Sequence, residues 1–264
     1  MDKAGRTYWD GLWANAKLPQ AVNPRTAGLN NYVNRKFHEY FCEAFSSLDT
    51  KGKKLLEIGC ALSAWLPYFA REFGFDVHGL DYSELGCQQA RAVLANEGLE
   101  GEIVCADFFS PPPELTGAFD VVVSLGVAEH FQNTSECLSA FARFLSPDGL
   151  LVTSIPNMTG LTGSLQKLFG RAVFDIHVPL SREALAAAHH QSGLEVTSCR
   201  YFLPVNLSVV NVAAMNCKFC HEIIIRAASW ISKLTWCIDA AFPVLRPNHW
   251  TSPYINCLAR KPCA

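Results

Sequence analysis

The sequence predicts an α/β fold built on a mostly parallel sheet with helices on both faces. Three observations predict it. Short apolar runs alternate with stretches of helical character through most of the chain, which is the pattern of repeated strand–helix units. One run, Phe119-Asp-Val-Val-Val-Ser124, is apolar enough to be buried on both faces, as strands of a parallel sheet are. Small-residue turns and helix-start signals follow the runs where an open sheet needs them.

The first of these units organises the rest. Leu55, Leu56 and Ile58 read as a buried strand, which breaks into Gly59-Cys-Ala-Leu-Ser63. A helix follows, with Pro67 in its first turn, where a missing N–H costs little. Strand, small-residue turn and helix start together mark the place where such a sheet holds a nucleotide-like ligand. Gly59, Ala61 and Ser63 let the backbone approach that ligand closely. The same string also suits an ordinary strand–helix corner, so the remaining units decide.

Ahead of this unit, residues 8–13 are aromatic but short, and residues 19–28 look like loop. Tyr32, Val33, Phe37, Tyr40, Phe41 and Phe45 then recur at helical spacing on one face. That face suits a helix packed on the core, or a lid over the site. After it, residues 75–81 form the second strand, with Asp81 at its end and Ser83 as N-cap of a helix that Gly98 stops. An acid at this end, about twenty residues beyond the loop, is placed to accept hydrogen bonds from two ribose hydroxyls. Residues 101–107 form the third strand, again ending in Asp107. The fourth, 119–124, leads into Leu125-Gly-Val-Ala-Glu-His130, and Asn133 with Glu136 makes a capping box for the next helix. Pro147-Asp-Gly149 is a turn, and residues 149–154 are the fifth strand. Residues 156–178 have mixed character. Ser181 caps a helix through His190, and residues 194–202 are the sixth strand. The seventh, 254–260, lacks a helix of ordinary length before it.

Residues 205–250 are strongly apolar and read as one or two helices. Arg226, Lys233 and Asp239 interrupt the run, and a charge near the centre of a membrane span costs about 2.5–3.5 kcal/mol or more. Arg226 and Lys233 share a helix face. A helix on the sheet or beside an apolar substrate pocket fits best, and a peripheral membrane contact stays open beside it.

The chain has 264 residues, half of them hydrophobic, 17% charged, with a net charge of −2. That supports one large domain, or one domain with an elaboration, and gives no basic surplus for nucleic acid. No secretory leader is visible at the start, so a cytoplasmic protein is expected. The 11 cysteines are scattered and odd in number, and are expected reduced and mostly buried. Cys217-Lys-Phe-Cys-His221 has the spacing of a c-type haem attachment, but buried helical thiols explain it better.

Four blocks, in order, resemble the S-adenosylmethionine-dependent methyltransferases of Rossmann-like fold. They are Glu57-Ile-Gly59-Cys-Ala61-Leu-Ser63, Asp81, Asp107-Phe108, and residues 119–130 followed by 145–151. Ala61 and Ser63 stand where the family pattern has glycines. The resemblance covers about residues 50–200, and implies a seven-stranded, mostly parallel sheet with an antiparallel last strand at a hairpin on its edge. It implies S-adenosyl-L-methionine as cofactor. Glu57 would then serve the amino-acid end, Asp81 the ribose with Tyr82 beside it, Asp107 the adenine amine, and Phe108 an N–H or ring contact. Gly59, Ala61, Ser63 and Ser124 would complete the set. The cofactor has no phosphate, and the loop has no Lys or Arg.

Methyl transfer needs alignment, exclusion of water, and a base where the acceptor carries a proton. His130 and His177 are the candidate bases, with Glu129 beside His130; each is equally readable as a hydrogen-bonded structural side chain. Relatives that bind magnesium do so through Glu-x-x-Glu-His. Gly126 holds the first of those positions, so no metal is expected. The expected units are an N-terminal helical lid (1–49), a cofactor-binding core (50–204), and an apolar insertion with the last strand forming an acceptor-pocket elaboration (205–264). The expected acceptor is a small apolar or lipid-like molecule, with oxygen favoured over nitrogen or carbon. Phe131, Phe174, Tyr8 and Trp13 would line its pocket with residues 205–250, and Lys218, Arg226 and Lys233 would answer an anionic end. The expected state is a monomer or homodimer. Two rivals remain: an NAD(P)-dependent oxidoreductase reading the loop as Gly59-x-Ala61-x-x-Ala64, and a methyltransferase-like protein that binds without catalysis.

Overall fold

The computed structural model describes residues 2–212, 218–242 and 244–263. Its centre is a seven-stranded sheet in the order β3-β2-β1-β4-β5-β7-β6. The strands are β1 (Lys54–Ile58), β2 (Asp76–Asp81), β3 (Glu102–Cys105), β4 (Phe119–Leu125), β5 (Leu145–Pro156), β6 (Glu195–Phe202) and β7 (Tyr254–Arg260). The first five run parallel, and β7 pairs antiparallel with both β5 and β6. Chain order reverses between β1 and β4, so the crevice beyond their carboxyl ends is the expected ligand position.

The strands are buried on both faces because each is apolar on both. On β4, Val121 and Val123 join one core and Val122 the other. The first core is closed by α2 (Tyr32–Ala44), α3 (Leu66–Phe73) and α4 (Glu84–Asn96), and the second by α5 (Thr134–Phe144) and α8 (Arg182–Gln191). Phe41 and Phe141 anchor the two cores with no exposed surface, each worth about 1.5–3 kcal/mol of burial. The sequence caps hold. Ser83, Asn133 and Ser181 accept from the amides of Gly86, Glu136 and Ala184.

Several expectations are corrected. The aromatic start of the chain is a helix, α1 (Arg6–Trp13), and residues 156–178 supply α6 (Leu161–Phe169) and α7 (Arg171–Asp175). The turn at Pro147-Asp-Gly149 lies inside β5. Asp148 takes a left-handed conformation there, φ 63°, and the register against β4 shifts, so the turn signal marks a bulge instead of a strand end. The last strand, β7, is hydrogen-bonded within the core sheet, between β5 and β6. Residues 205–250 contain one long helix, α9 (Lys218–Ala241). The nine described cysteines are free and only four are buried; Cys217 and the side chain of Cys220 lie outside the described residues. Among the described residues no helix is long and apolar enough to cross a membrane.

Candidate functional site

A cavity of about 330 Å³ lies over the carboxyl ends of β1, β2 and β4. The turn after β1 forms its floor. Gly59 has φ +79°, and a Cβ there would stand 2.5 Å from the Val127 side chain, so this position admits only glycine without movement. The family-pattern glycines at 61 and 63 are not needed, for two reasons visible locally. Leu62 takes the second left-handed conformation, φ 53°. The Ser63 hydroxyl accepts from the amides of Trp65 and Leu66 at the start of α3 and donates to Glu57 Oε2 at 2.5 Å.

Acids dominate the polar lining: Asp2, Glu57 and Asp81 face the cavity, and among the described residues no Lys or Arg does. Asp81 accepts from the amides of Ala61 (3.2 Å) and Ser83 (2.8 Å), which fixes the carboxylate and leaves lone pairs free for two further donors. Burial raises its pKa, opposed by those amides. Glu57 is fully buried, and desolvation pushes it up to about 8 despite the Ser63 hydrogen bond. Two carboxyl groups held where ionisation is disfavoured, with no Lys or Arg among the described lining residues, suit a cationic ligand better than an anionic one.

Above them, α1 closes the cavity with Trp9 and Trp13. The chain start is tied down by Asp2 bridging to Phe131, by Lys3 N donating to the His130 carbonyl (2.9 Å), and by Tyr82 Oη donating to Asp2 (3.1 Å). These contacts were illegible in the sequence, since α1 is short and its partners lie more than 70 residues away; the aromatic spacing of Trp9 and Trp13 was the one available signal.

His130 reaches the cavity wall, packed edge-on against Trp9. Its Nδ1 lies 2.9 Å from the Ile176 carbonyl, which can only accept, so Nδ1 carries a proton. His177 stands behind it, ring centres 4.5 Å apart, outside the cavity lining, with Nδ1 on the Val173 carbonyl. Burial first, then the His130 charge, lower its pKa to about 4, so it is neutral at physiological pH. Glu129 is also buried outside the lining. Its Oε1 lies 4.0 Å from His130 Nε2, and its Oε2 lacks a partner among the described residues. Ligand atoms of Glu129, His130 and His177 lie within 4.8 Å of one another, one oxygen with two nitrogens.

Of the sequence-derived set, the cavity brings together Glu57, Gly59, Ala61, Ser63, Asp81, Tyr82, Phe108 and His130. It does not include Asp107, Ser124, Glu129 or His177. Asp107 is exposed, its Oδ1 accepting from Phe109 N. Ser124 is fully buried within the sheet, and its hydroxyl is unpartnered among the described residues.

A second cavity of about 330 Å³ adjoins the first and shares Trp65, Leu125 and Gly126 with it. Its remaining walls are mainly apolar, from Val33 and Phe37 of α2, Pro156 and Tyr254. Of the residues expected around the acceptor, Trp13 and Phe131 line the first cavity and not the second, and Tyr8, Phe174 and the described part of 205–250 line neither.

Residues 30–199, well over half of the chain, match the family model for a methyltransferase domain. The chain belongs to that family. A ubiquinone biosynthesis O-methyltransferase of Caulobacter sp. (strain K31) is 34% identical over 118 residues, 45% of this chain and 46% of that protein. The chain spans 46% to 65% of the length of the first curated relatives it matches. Among solved structures, a putative sarcosine dimethylglycine methyltransferase from Galdieria sulphuraria superposes with TM-score 0.63 at 13% identity, covering 97% of this chain and 98% of its own. The cyclase SpnF superposes with TM-score 0.62 at 18% identity, covering 100% and 97%. The methyltransferase-domain fold therefore carries more than one reaction, and the chemistry must be argued from the site.

The residues present suit S-adenosylmethionine. The two buried acids suit a ligand with cationic groups, and the unused lone pairs of Asp81 suit a pair of hydroxyls. A dinucleotide would bring its pyrophosphate to the same acids.

Proposed function

We propose that the chain transfers a methyl group from S-adenosyl-L-methionine to a small, apolar or lipid-like acceptor, with oxygen as the methylated atom. The observation that supports this most is the cavity at the sheet's reversal point, lined by Glu57 and Asp81 and, among the described residues, by no Lys or Arg. When bound, the cofactor supplies an electrophilic methyl on a sulfonium centre. Asp81 holds the ribose, Glu57 answers the ammonium, and the Phe108 and Tyr82 rings flank the adenosine. Trp9, Trp13 and Trp65 keep water out. The second cavity, mainly apolar and sharing the Trp65, Leu125 and Gly126 wall with the first, takes the acceptor.

His130 removes the acceptor's proton at Nε2, and its Nδ1–H, held by the Ile176 carbonyl, keeps the ring in that tautomer. Glu129 and His177 position His130 without touching the acceptor. A hard ion such as magnesium is disfavoured: of the three clustered donors only Glu129 offers oxygen, and such an ion wants more. Oxygen is favoured by the name of the relative, a ubiquinone biosynthesis O-methyltransferase. The protein works in the cytoplasm.

Incubation with S-adenosylmethionine and a panel of alkylated phenols and catechols, read as S-adenosylhomocysteine formed, tests the reading. Turnover of an apolar phenol supports it. A second reading, binding without transfer, draws on the cyclase SpnF sharing this fold. Cofactor binding with no turnover on any acceptor class would favour that one.

A further inference from the structure

Helix α9 is amphipathic the wrong way round for a core helix. Its inward side is partly polar. Ser232 Oγ accepts from Leu207 N at 2.9 Å, Trp236 is buried, stacks on Tyr32 at 5.2 Å and donates to the Val205 carbonyl at 2.8 Å, and Asp239 accepts from the Tyr32 hydroxyl. Its outward side carries Ile223, Trp230, Ile231, Leu234 and Ile238, exposed by 49%, 76%, 51%, 64% and 43%. Spacings of seven, one, three and four residues put all five on one stripe, about 22 Å long at 1.5 Å per residue. Beyond the helix end, Phe242 and Val244 are exposed as well.

Arg226 and Lys233, seven residues apart, run along one flank of this stripe. The described acids of the helix are already engaged: Glu222 lies 3.6 Å from Arg226, and Asp239 holds Tyr32. Lys233 has no ion-pair partner among the described residues. Arg226 is shared with Glu222, so Lys233 is the unpaired cation of the flank: a second copy packed on the stripe would bring it no free carboxylate from this helix, whereas acidic lipid headgroups would bring negative charge. The whole chain is slightly acidic, −2, so the basic flank is a local feature.

We propose that α9 is an interfacial helix that seats the protein on a membrane carrying anionic lipid. The apolar stripe lies in the plane of the surface at the boundary between headgroups and acyl chains, and Arg226 and Lys233 meet lipid phosphates. Trp230, on the stripe, is the residue type enriched at that boundary. Docking does not depend on the methyl-transfer reading. It does bear on it: Tyr32, which holds the inward side of α9, begins the helix whose Val33 and Phe37 wall the second cavity, so that cavity lies behind α9 as seen from the docked face.

The test is co-sedimentation of the full chain with vesicles of phosphatidylcholine, with and without phosphatidylglycerol. The expected result is binding that needs phosphatidylglycerol and weakens with salt. Arg226→Ala and Lys233→Ala should each cost about fivefold in partition, and Trp230→Ser with Leu234→Ser roughly tenfold or more. These side chains face outward, so circular dichroism and the thermal melt should not change. No binding to either vesicle overturns the proposal, as does binding indifferent to all four substitutions. A wild-type dimer that Trp230→Ser with Leu234→Ser converts to monomer, without vesicle binding, gives the stripe to a second copy instead. S-adenosylhomocysteine binding, read separately by calorimetry, reports on the cofactor site whichever way the vesicles answer.

Discussion

The crevice region, residues 54–131, and helix α9 are both dense in apolar side chains, and they use them in opposite directions. In the crevice, Leu55, Leu56, Ile58 and Val121 to Val123 vanish into two cores. What lines the cavity at the strand ends is acid: Glu57 and Asp81. On α9 the polar and ring-stacked residues Ser232, Trp236 and Asp239 turn inward, and the aliphatic stripe faces out. Hydrophobicity alone thus fails to say which way a segment faces. The partners of its few polar atoms do, because a buried hydroxyl, indole N–H or carboxylate must find a hydrogen bond.

If the comparison is right, substitutions in one region should leave the readout of the other untouched. The largest effect is expected at His130. His130→Asn should lower kcat by about 10²–10⁴-fold with S-adenosylhomocysteine affinity and vesicle partition unchanged; a loss of cofactor affinity instead would make His130 a binding residue. Next comes Asp81→Asn, which keeps the shape and removes the charge. Weakening the hydrogen bonds to a charged acceptor, at about 1.5–3 kcal/mol, should raise the Kd for S-adenosylhomocysteine roughly tenfold to a hundredfold in calorimetry.

Glu57 sharpens the contrast through pH. Its folded pKa of about 8 lies above the ordinary carboxyl value of 4.5. A raised carboxyl costs nothing while both states are protonated. The cost appears as pH rises above about 4.5 and grows until about 8, so stability of the ligand-free protein should fall across that window. Glu57→Gln should flatten the slope of Tm against pH, and a slope that survives the substitution would assign it to another group. Binding of a cation beside Glu57 should release protons in the same window, visible as buffer-dependent heat. Gly59→Ala should then cost about 1–3 kcal/mol of stability, since it meets Val127 and keeps a left-handed φ; Val127→Ala in that background should recover part of the melt. The smallest expected effect is none: turnover should be the same after chelator treatment. Activity lost to chelation and restored by zinc would give Glu129, His130 and His177 a metal.

Most of the sheet was legible because alternation of apolar runs and capped helices is a local signal. All seven strands sit where the runs are, and β7 coincides with its run. The cradle was legible too, since Gly59, Asp81 and Phe108 lie on strand ends whose order the fold dictates. What stayed hidden depends on distant partners. Nothing near Asp107 says that its carboxylate will turn back onto Phe109 N, away from the cavity. Nothing near Trp9 says that it will close over His130, 121 positions away. The orientation of α9 is decided by Tyr32, 207 residues from Asp239. The bulge at Asp148 was visible as a turn but not as a turn inside a strand, because Pro-Asp-Gly suits both.

Calorimetric titration of S-adenosylhomocysteine into the folded full chain, beside a nicotinamide dinucleotide, addresses the acid-lined crevice most directly. One-site heat with the sulfur nucleoside alone, weakened by Asp81→Asn and unchanged by Trp230→Ser with Leu234→Ser, is the predicted result. Silence with the nucleoside, or heat with the dinucleotide, would contradict the account.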